Sequence, residues 1–216
     1  SGPLGLLDQG GAARRDQRKD HTMTGAVTRG RRRPLSWADL TPREKMSLRT
    51  SIHEAGHAVA GTVVGGRIRS AALSDSRVTG VHGLTSYETV PEGTWPAVLF
   101  AGPWSEARWM AGRRPTPALL SAILGGSGYR DHNALCAAAA ADVWTDATSE
   151  ARLTVPPLME MTWDAVVSVA KVIHKTGEAR HEHVLAALGI DDGGGPGSVQ
   201  LANLRARLRR VPALTT

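Results

Sequence analysis

Residues 41–66 constrain the fold more than any other segment, because they carry the start, interior and end signals of one long helix. Thr41, Pro42 and Glu44 form a capping-box pattern with proline at the first helical position. The pair Gly65-Gly66 provides the stop signal. Between these ends, apolar side chains recur at helical spacing, at Met46, Ile52, Val59 and Val63.

The middle of this predicted helix reads HEAGH, residues 53–57, which is an H-E-x-x-H motif. Two histidines four positions apart project from the same helix face, so His53 and His57 can both reach one Zn²⁺ at ~2.0–2.1 Å. Glu54 lies one step around the helix and can act as general base towards a zinc-activated water. The motif therefore predicts a hydrolytic zinc site.

Two histidines leave such a site one ligand short, because hydrolytic zinc usually has three protein ligands and one open position. Asp131 is the first candidate, since it follows a glycine-rich loop and opens a helix, although an acidic residue there also suits the helix dipole. Glu106 is the main rival and could instead hydrogen-bond a ligand histidine. His132 and His82 are weaker candidates. The residue types alone leave this choice open.

The remaining pattern predicts a mostly helical chain with a small sheet, an α+β fold. Residues 67–87 have the composition of two or three short strands. A helix follows from about Trp95 to Met110, and we expect it to be disturbed near Gly102-Pro103 because proline lacks the amide proton. Further helices are predicted after Pro117 and over residues 131–144, 157–176 and 181–188.

The charge is concentrated at the two ends of the chain. The net charge of +6 comprises +5 in residues 1–33 and +4 in residues 199–216, so residues 34–198 carry −3. We expect residues 1–33 to be a disordered basic arm, residues 34–190 to be a zinc metallopeptidase domain, and residues 191–216 to be a glycine-rich linker with a basic tail. Solvated tails are the favoured interpretation, which makes a nucleic-acid partner unlikely.

Composition excludes several classes of protein. A single cysteine, Cys136, rules out an internal disulfide framework and a cysteine-based zinc knuckle. No window approaches eighteen uninterrupted apolar residues, and no apolar core follows the basic residues of the N-terminus. The sequence therefore predicts a soluble cytoplasmic protein without a membrane partner.

Four segments together resemble the peptidase domain of the FtsH-type ATP-dependent zinc metalloproteases. They are HEAGHAVAG (53–61), GLTSY (83–87), LFAGPWSEARWMAG (99–112) and GGSGYRDHNAL (125–135). The resemblance spans residues 40–189 and implies a zincin-like domain with the motif on a central helix. It implies zinc held by His53, His57 and Asp131, with Glu54 as base and Glu106 behind the ligands.

The chain also departs from that family, since it has no phosphate-binding loop and no membrane helices. We therefore expect an ATP-independent zinc endopeptidase that cuts flexible protein or peptide segments, or that depends on a separate unfolding or recruiting partner. An extended substrate is expected to pair with the strand containing Gly83, Leu84 and Thr85. The alternatives are a catalytically idle adaptor or regulator, and a regulatory protease acting on a DNA-binding repressor.

Several other residues have structural interpretations that compete with functional ones. Trp104 and Trp109 could line a specificity pocket, but core packing is the favoured interpretation. His174, His181 and His183 lie near a predicted helix end, where solvated side chains or interactions with the helix dipole are expected.

Overall fold

The computed structural model describes residues 37–76, 80–142 and 145–214, all within one compact unit. The arm predicted for residues 1–33 lies outside the described residues. After a short 3-10 helix, Trp37–Asp39, the elements are α1 (Pro42–Val63), β1 (Arg67–Ser76), β2 (Gly80–Thr89), α2 (Trp95–Ala111), α3 (Pro117–Leu124), α4 (Tyr129–Ala141), α5 (Ala147–Met161), α6 (Trp163–Thr176), β3 (Glu178–Ala179), α7 (His181–Leu188) and α8 (Val199–Arg205).

Helix α1 is the central element, and the predicted capping box begins it. The hydroxyl of Thr41 accepts from the Glu44 amide, and the Glu44 carboxylate accepts from the Thr41 amide at 2.7 Å. Every residue from Ser51 to Val63 is buried, because α2, α6 and both long strands pack around this half of the helix. The H-E-x-x-H motif therefore lies in the interior and not on a surface helix.

The sheet is small and antiparallel, in the order β2-β1-β3. Strands β1 and β2 are ten residues each, longer than the short strands predicted, and they place Ala71 opposite Thr85 and Leu73 opposite Gly83. The other side of β1 pairs with only Glu178 and Ala179 of β3. The predicted α+β class, mainly helical with a small sheet, is confirmed. Among the described strands, β2 forms one edge of the sheet.

Two helices differ from the sequence expectations. Helix α2 remains helical through Pro103, where we predicted a disturbance. The buried side chains of Phe100 and Trp104 flank this position, and their burial outweighs the one hydrogen bond that proline cannot donate. The single helix predicted for residues 157–176 is wrong, because α5 already begins at Ala147 and contains Pro156 and Pro157, and α6 follows it.

The segment after Gly189 packs onto the rest of the unit. It contains α8, whose Leu201 and Leu204 are fully buried, whereas Leu208 beyond the helix is 79% exposed. The Arg205 guanidinium donates a hydrogen bond to the Val63 carbonyl, which closes the C-terminal end of α1. The segment predicted to be a linker and tail thus covers the C-terminal end of α1.

Among the described residues, no helix combines the length and the apolar character needed to cross a membrane.

Candidate metal centre

Three side chains place potential ligand atoms in one cluster. Nε2 of His53 lies 3.0 Å from Oδ2 of Asp131, and Nε2 of His57 lies 3.3 Å from Oδ1 of the same carboxylate. One atom from each residue can be chosen so that all three lie within 4.8 Å of one another. His53, His57 and Asp131 are therefore brought together as the sequence predicted.

The cluster depends on two helices that are remote in sequence. His53 and His57 lie one turn apart on the buried half of α1, and their rings meet edge to face with centroids 4.8 Å apart. Asp131 lies in the first turn of α4, after the glycine-rich turn. Helix α2 packs against both α1 and α4 and so sets the distance between them.

Both imidazoles are oriented by hydrogen bonds on the side away from the cluster. Nδ1 of His57 lies 2.8 Å from the Val98 carbonyl, which can only accept, so this nitrogen carries a proton and Nε2 is the ring nitrogen that faces the cluster. Nδ1 of His53 lies 3.0 Å from Oε2 of Glu106. Such bonds fix the ring orientation of metal-binding histidines and raise the basicity of the ligand.

Glu106 lies behind His53 and is 1% exposed. Its carboxylate accepts from Arg49 Nη2 at 2.6 Å and from Ser127 Oγ at 2.8 Å, in addition to His53. Burial raises the pKa of Glu106, but the hydrogen bonds from His53, Ser127 and Arg49 outweigh it and keep the pKa below its usual value. The geometry places Glu106 on the Nδ1 side of His53, so Asp131 is the carboxylate at the ligand cluster.

The electrostatics of the cluster favour a cation. Burial lowers the pKa of His53, but hydrogen bonds with Asp131 and Glu106 more than compensate and raise it to about 10. Burial raises the pKa of Asp131, yet hydrogen bonds with His53 and His57 hold it below the usual range. Two ionised carboxylates thus lie on opposite sides of one imidazole, and their negative potential attracts a metal ion as it attracts a proton.

Two imidazoles and one carboxylate form a donor set that zinc accepts. The Asp131 carboxylate contacts the histidines through different oxygens, Oδ2 at 3.0 Å from Nε2 of His53 and Oδ1 at 3.3 Å from Nε2 of His57. Gly102 of α2 keeps the space beside the ligand nitrogen open, because a Cβ atom there would overlap Nε2 of His57. Two imidazoles and one carboxylate also suit other divalent transition metals.

The ligand cluster lies in a cleft of about 800 Å³ between α1, β2 and the start of α4. Glu54 also faces this cleft and is 6% exposed. Four of the exposed large apolar side chains of the described residues lie along it, namely Met46, Leu84, Trp95 and Tyr129. The cleft therefore combines a polar floor with apolar walls.

The weaker candidates lie elsewhere or have other contacts. His82 lines the cleft but is not part of the ligand cluster, and His132 lies 3.8 Å from the sulfur of Cys136. Trp104 is a core residue, as the favoured interpretation held. Trp109 is partly buried and lines a separate cavity of about 560 Å³ with Trp163.

The three downstream histidines differ in their environments. Nδ1 of His174 lies 3.0 Å from the Ser47 hydroxyl, and Nδ1 of His183 accepts from the Arg180 amide. His181 is buried at the N-terminal end of α7, so the expectation of a solvated side chain or one near a helix C-terminus is wrong there. Only Arg180 separates the end of β3 from the start of α7 at His181.

Four groups that support the site have no assigned role in the sequence predictions. Arg49 and Ser127 hold Glu106, Val98 supplies the carbonyl bound by His57, and the Tyr87 hydroxyl donates to the His57 carbonyl at 2.8 Å. Arg49 had a detectable signal, since it precedes His53 by four positions and shares its helix face. The others depend on tertiary contacts that no local pattern records.

No protein-family model and no curated protein sequence matches this chain.

Proposed function

We propose that this protein is a zinc-dependent endopeptidase with a zincin-like domain related to the peptidase domain of the FtsH-type proteases. The observation that carries the proposal is the convergence of His53, His57 and Asp131, with Glu54 beside them, in an open cleft. Zinc held by these three residues supplies a positive charge that acidifies water and polarises a carbonyl group. Hydrolysis in this form requires no ATP.

Glu54 has the position and environment of a general base. It follows His53 on α1, so its carboxylate reaches the cleft beside the ligand cluster without belonging to it. In the proposed reaction this carboxylate removes a proton from the attacking water and delivers it to the nitrogen of the departing amine.

The edge strand β2 supplies a docking surface for the substrate backbone. Its residues Gly83, Leu84 and Thr85 line the cleft, and its outer side has no partner strand among the described residues. An extended peptide can add to such an edge through main-chain hydrogen bonds, which require little sequence choice. We propose flexible protein segments as substrates, with apolar substrate side chains against Leu84, Trp95 and Tyr129.

The test is to compare wild type with Glu54→Gln for zinc content and for cleavage of casein and a fluorogenic peptide library. Glu54→Gln should keep about one zinc per chain and lose turnover, because the amide cannot accept the proton. Glu92→Gln, an exposed acid-to-amide change outside the cleft, is the matched control and should cleave normally.

Two results would contradict the proposal. Failure of the wild-type protein to take up zinc after dialysis would exclude the metal site. Zinc binding with no cleavage of any protein or peptide would instead favour the catalytically idle adaptor or regulator.

A further inference from the structure

The β2 strand contacts the general base directly. The hydroxyl of Thr85 lies 2.7 Å from Oε2 of Glu54 and 3.1 Å from the Glu54 backbone carbonyl. A hydroxyl has one hydrogen to donate, and a bond to an ionised carboxylate is the stronger of the two. The side chain of Thr85 therefore contacts the carboxylate assigned to proton transfer.

The second carboxylate oxygen of Glu54, Oε1, occupies space that is free only because residue 83 is glycine. Gly83 lies against it, and a Cβ atom at this position would overlap Oε1, Cγ and Cδ of Glu54. Only glycine leaves room for the carboxylate where it stands. One oxygen is thus held by a hydrogen bond and the other lies in a gap that a side chain would fill.

The alternation of a β-strand explains why both contacts come from β2. Gly83 and Thr85 are two positions apart and face the same side, towards α1, whereas Leu84 between them points away from α1 and is 69% exposed at the rim of the cleft. Pairing with Leu73 and Ala71 of β1 fixes this register. A slip by one residue would turn both contacts away from Glu54.

We propose that Thr85 is a positioning residue, which acts through Glu54 by holding its carboxylate in the orientation needed for proton transfer. This inference rests on the proposed role of Glu54 as base. A glutamate side chain has several rotatable bonds, and an unanchored carboxylate spends much of its time away from the reacting position. Gly83 and Thr85 thus have a second role on β2, in addition to the substrate docking expected from the sequence.

The test uses Thr85→Val, which keeps the shape but removes the hydroxyl, and Thr85→Ser, which keeps the hydroxyl. Removing a hydrogen bond to a charged group should lower kcat by about 10- to 100-fold in Thr85→Val, with KM and zinc content within about twofold. Thr85→Ser should restore kcat to within about threefold of wild type. Ser86→Ala removes a hydroxyl from the same strand as Thr85, where it contacts Ser70 of the neighbouring β1, and should leave kcat unchanged.

Crystal structures of zinc-free wild type and Thr85→Val provide a readout independent of turnover. The Glu54 carboxylate should have one position in wild type and several, or a new one, in Thr85→Val. An unmoved carboxylate in Thr85→Val, or a Thr85→Ser variant as slow as Thr85→Val, would overturn the inference. If wild type cleaves nothing, the proposed function fails, and the crystal structures still decide whether Thr85 holds Glu54.

Discussion

Oδ2 of Asp131 lies 3.0 Å from Nε2 of His53, although 78 positions separate the two residues along the chain. Any ion bound by both therefore links α1 to α4 and is lost when they separate. Zinc at about 100 times its dissociation constant should stabilise the folded protein by about 2.7 kcal/mol. Urea unfolding with zinc and with EDTA measures the difference, which should vanish in His57→Ala and persist in the control His132→Ala.

The two carboxylates near His53 should differ in their effect on zinc affinity. Asp131→Ala removes a ligand and should abolish stoichiometric zinc binding, whereas Glu106→Gln should cost about 10- to 100-fold in affinity because it disturbs only the orientation of His53. Competition with a chromogenic chelator gives both constants. The opposite order, with Glu106→Gln the more damaging, would mean that the ligand is Glu106.

Gly102→Ala should impair zinc binding without a change in any candidate ligand. The new methyl group would overlap Nε2 of His57, so either the imidazole or α2 must move. Gly197→Ala is the matched control, because a Cβ atom there meets nothing within 4 Å. Equal zinc affinity in both variants, measured with the same chelator, would show that the ring moves aside without cost.

The C-terminal helix should contribute strongly to stability. Leu204→Ala deletes a fully buried side chain and should lower the free energy of unfolding by about 2–5 kcal/mol. Leu208→Ala changes a side chain that is 79% exposed, four positions further on, and should stay within about 0.5 kcal/mol. Urea denaturation at neutral pH measures both. Equal small effects would indicate that α8 is a solvated tail.

His181 should make the folded state sensitive to mild acid. It is 4% exposed, and burial together with the charge of Arg67 lowers its pKa below the usual 6.5. The unfolded chain therefore takes up this proton at higher pH than the folded one. The associated stability is fully present above pH 6.5 and declines as the pH falls towards the folded pKa.

Urea titrations between pH 7.5 and ~5 on wild type and His181→Gln isolate this contribution. The variant should show a shallower loss of stability over that range. His183→Gln, in the same helix but exposed, should follow the wild-type curve. Parallel curves for wild type and His181→Gln would contradict the assignment.

The sequence predicted those features of the site that depend only on residues close together along the chain. The capping box at Thr41, the helical spacing and the H-E-x-x-H motif are encoded within some twenty residues, and the structure has each of them. Asp131 was the first candidate for the third ligand. Glu106 remained an alternative ligand, because only the packing of the helices decides which carboxylate faces Nε2 of His53. The support from Arg49 and Ser127 depends on the same packing.

The errors at the two proline-containing helices, α2 and α5, share a physical cause. Pro103, Pro156 and Pro157 are helix-breaking signals, yet all three lie inside helices because burial of neighbouring side chains outweighs the missing hydrogen bonds. The glycine-rich stretch 191–198 reads as a linker by composition. In the structure its residues also make specific contacts, among them the Ser198 hydroxyl donating to the Asp192 carboxylate at 2.7 Å.

The edge of β2 that is proposed to bind substrate also favours self-association. Among the described residues, no strand pairs with its outer edge, and such an edge can pair with an extended chain, including the same strand of a second copy. Natural edge strands commonly discourage such pairing with lysine or proline, but the segment GVHGLTSYET contains neither, and Leu84 projects into solvent beside the edge. Concentrated, substrate-free protein should therefore self-associate through this strand, and Leu84→Lys should keep it dispersed.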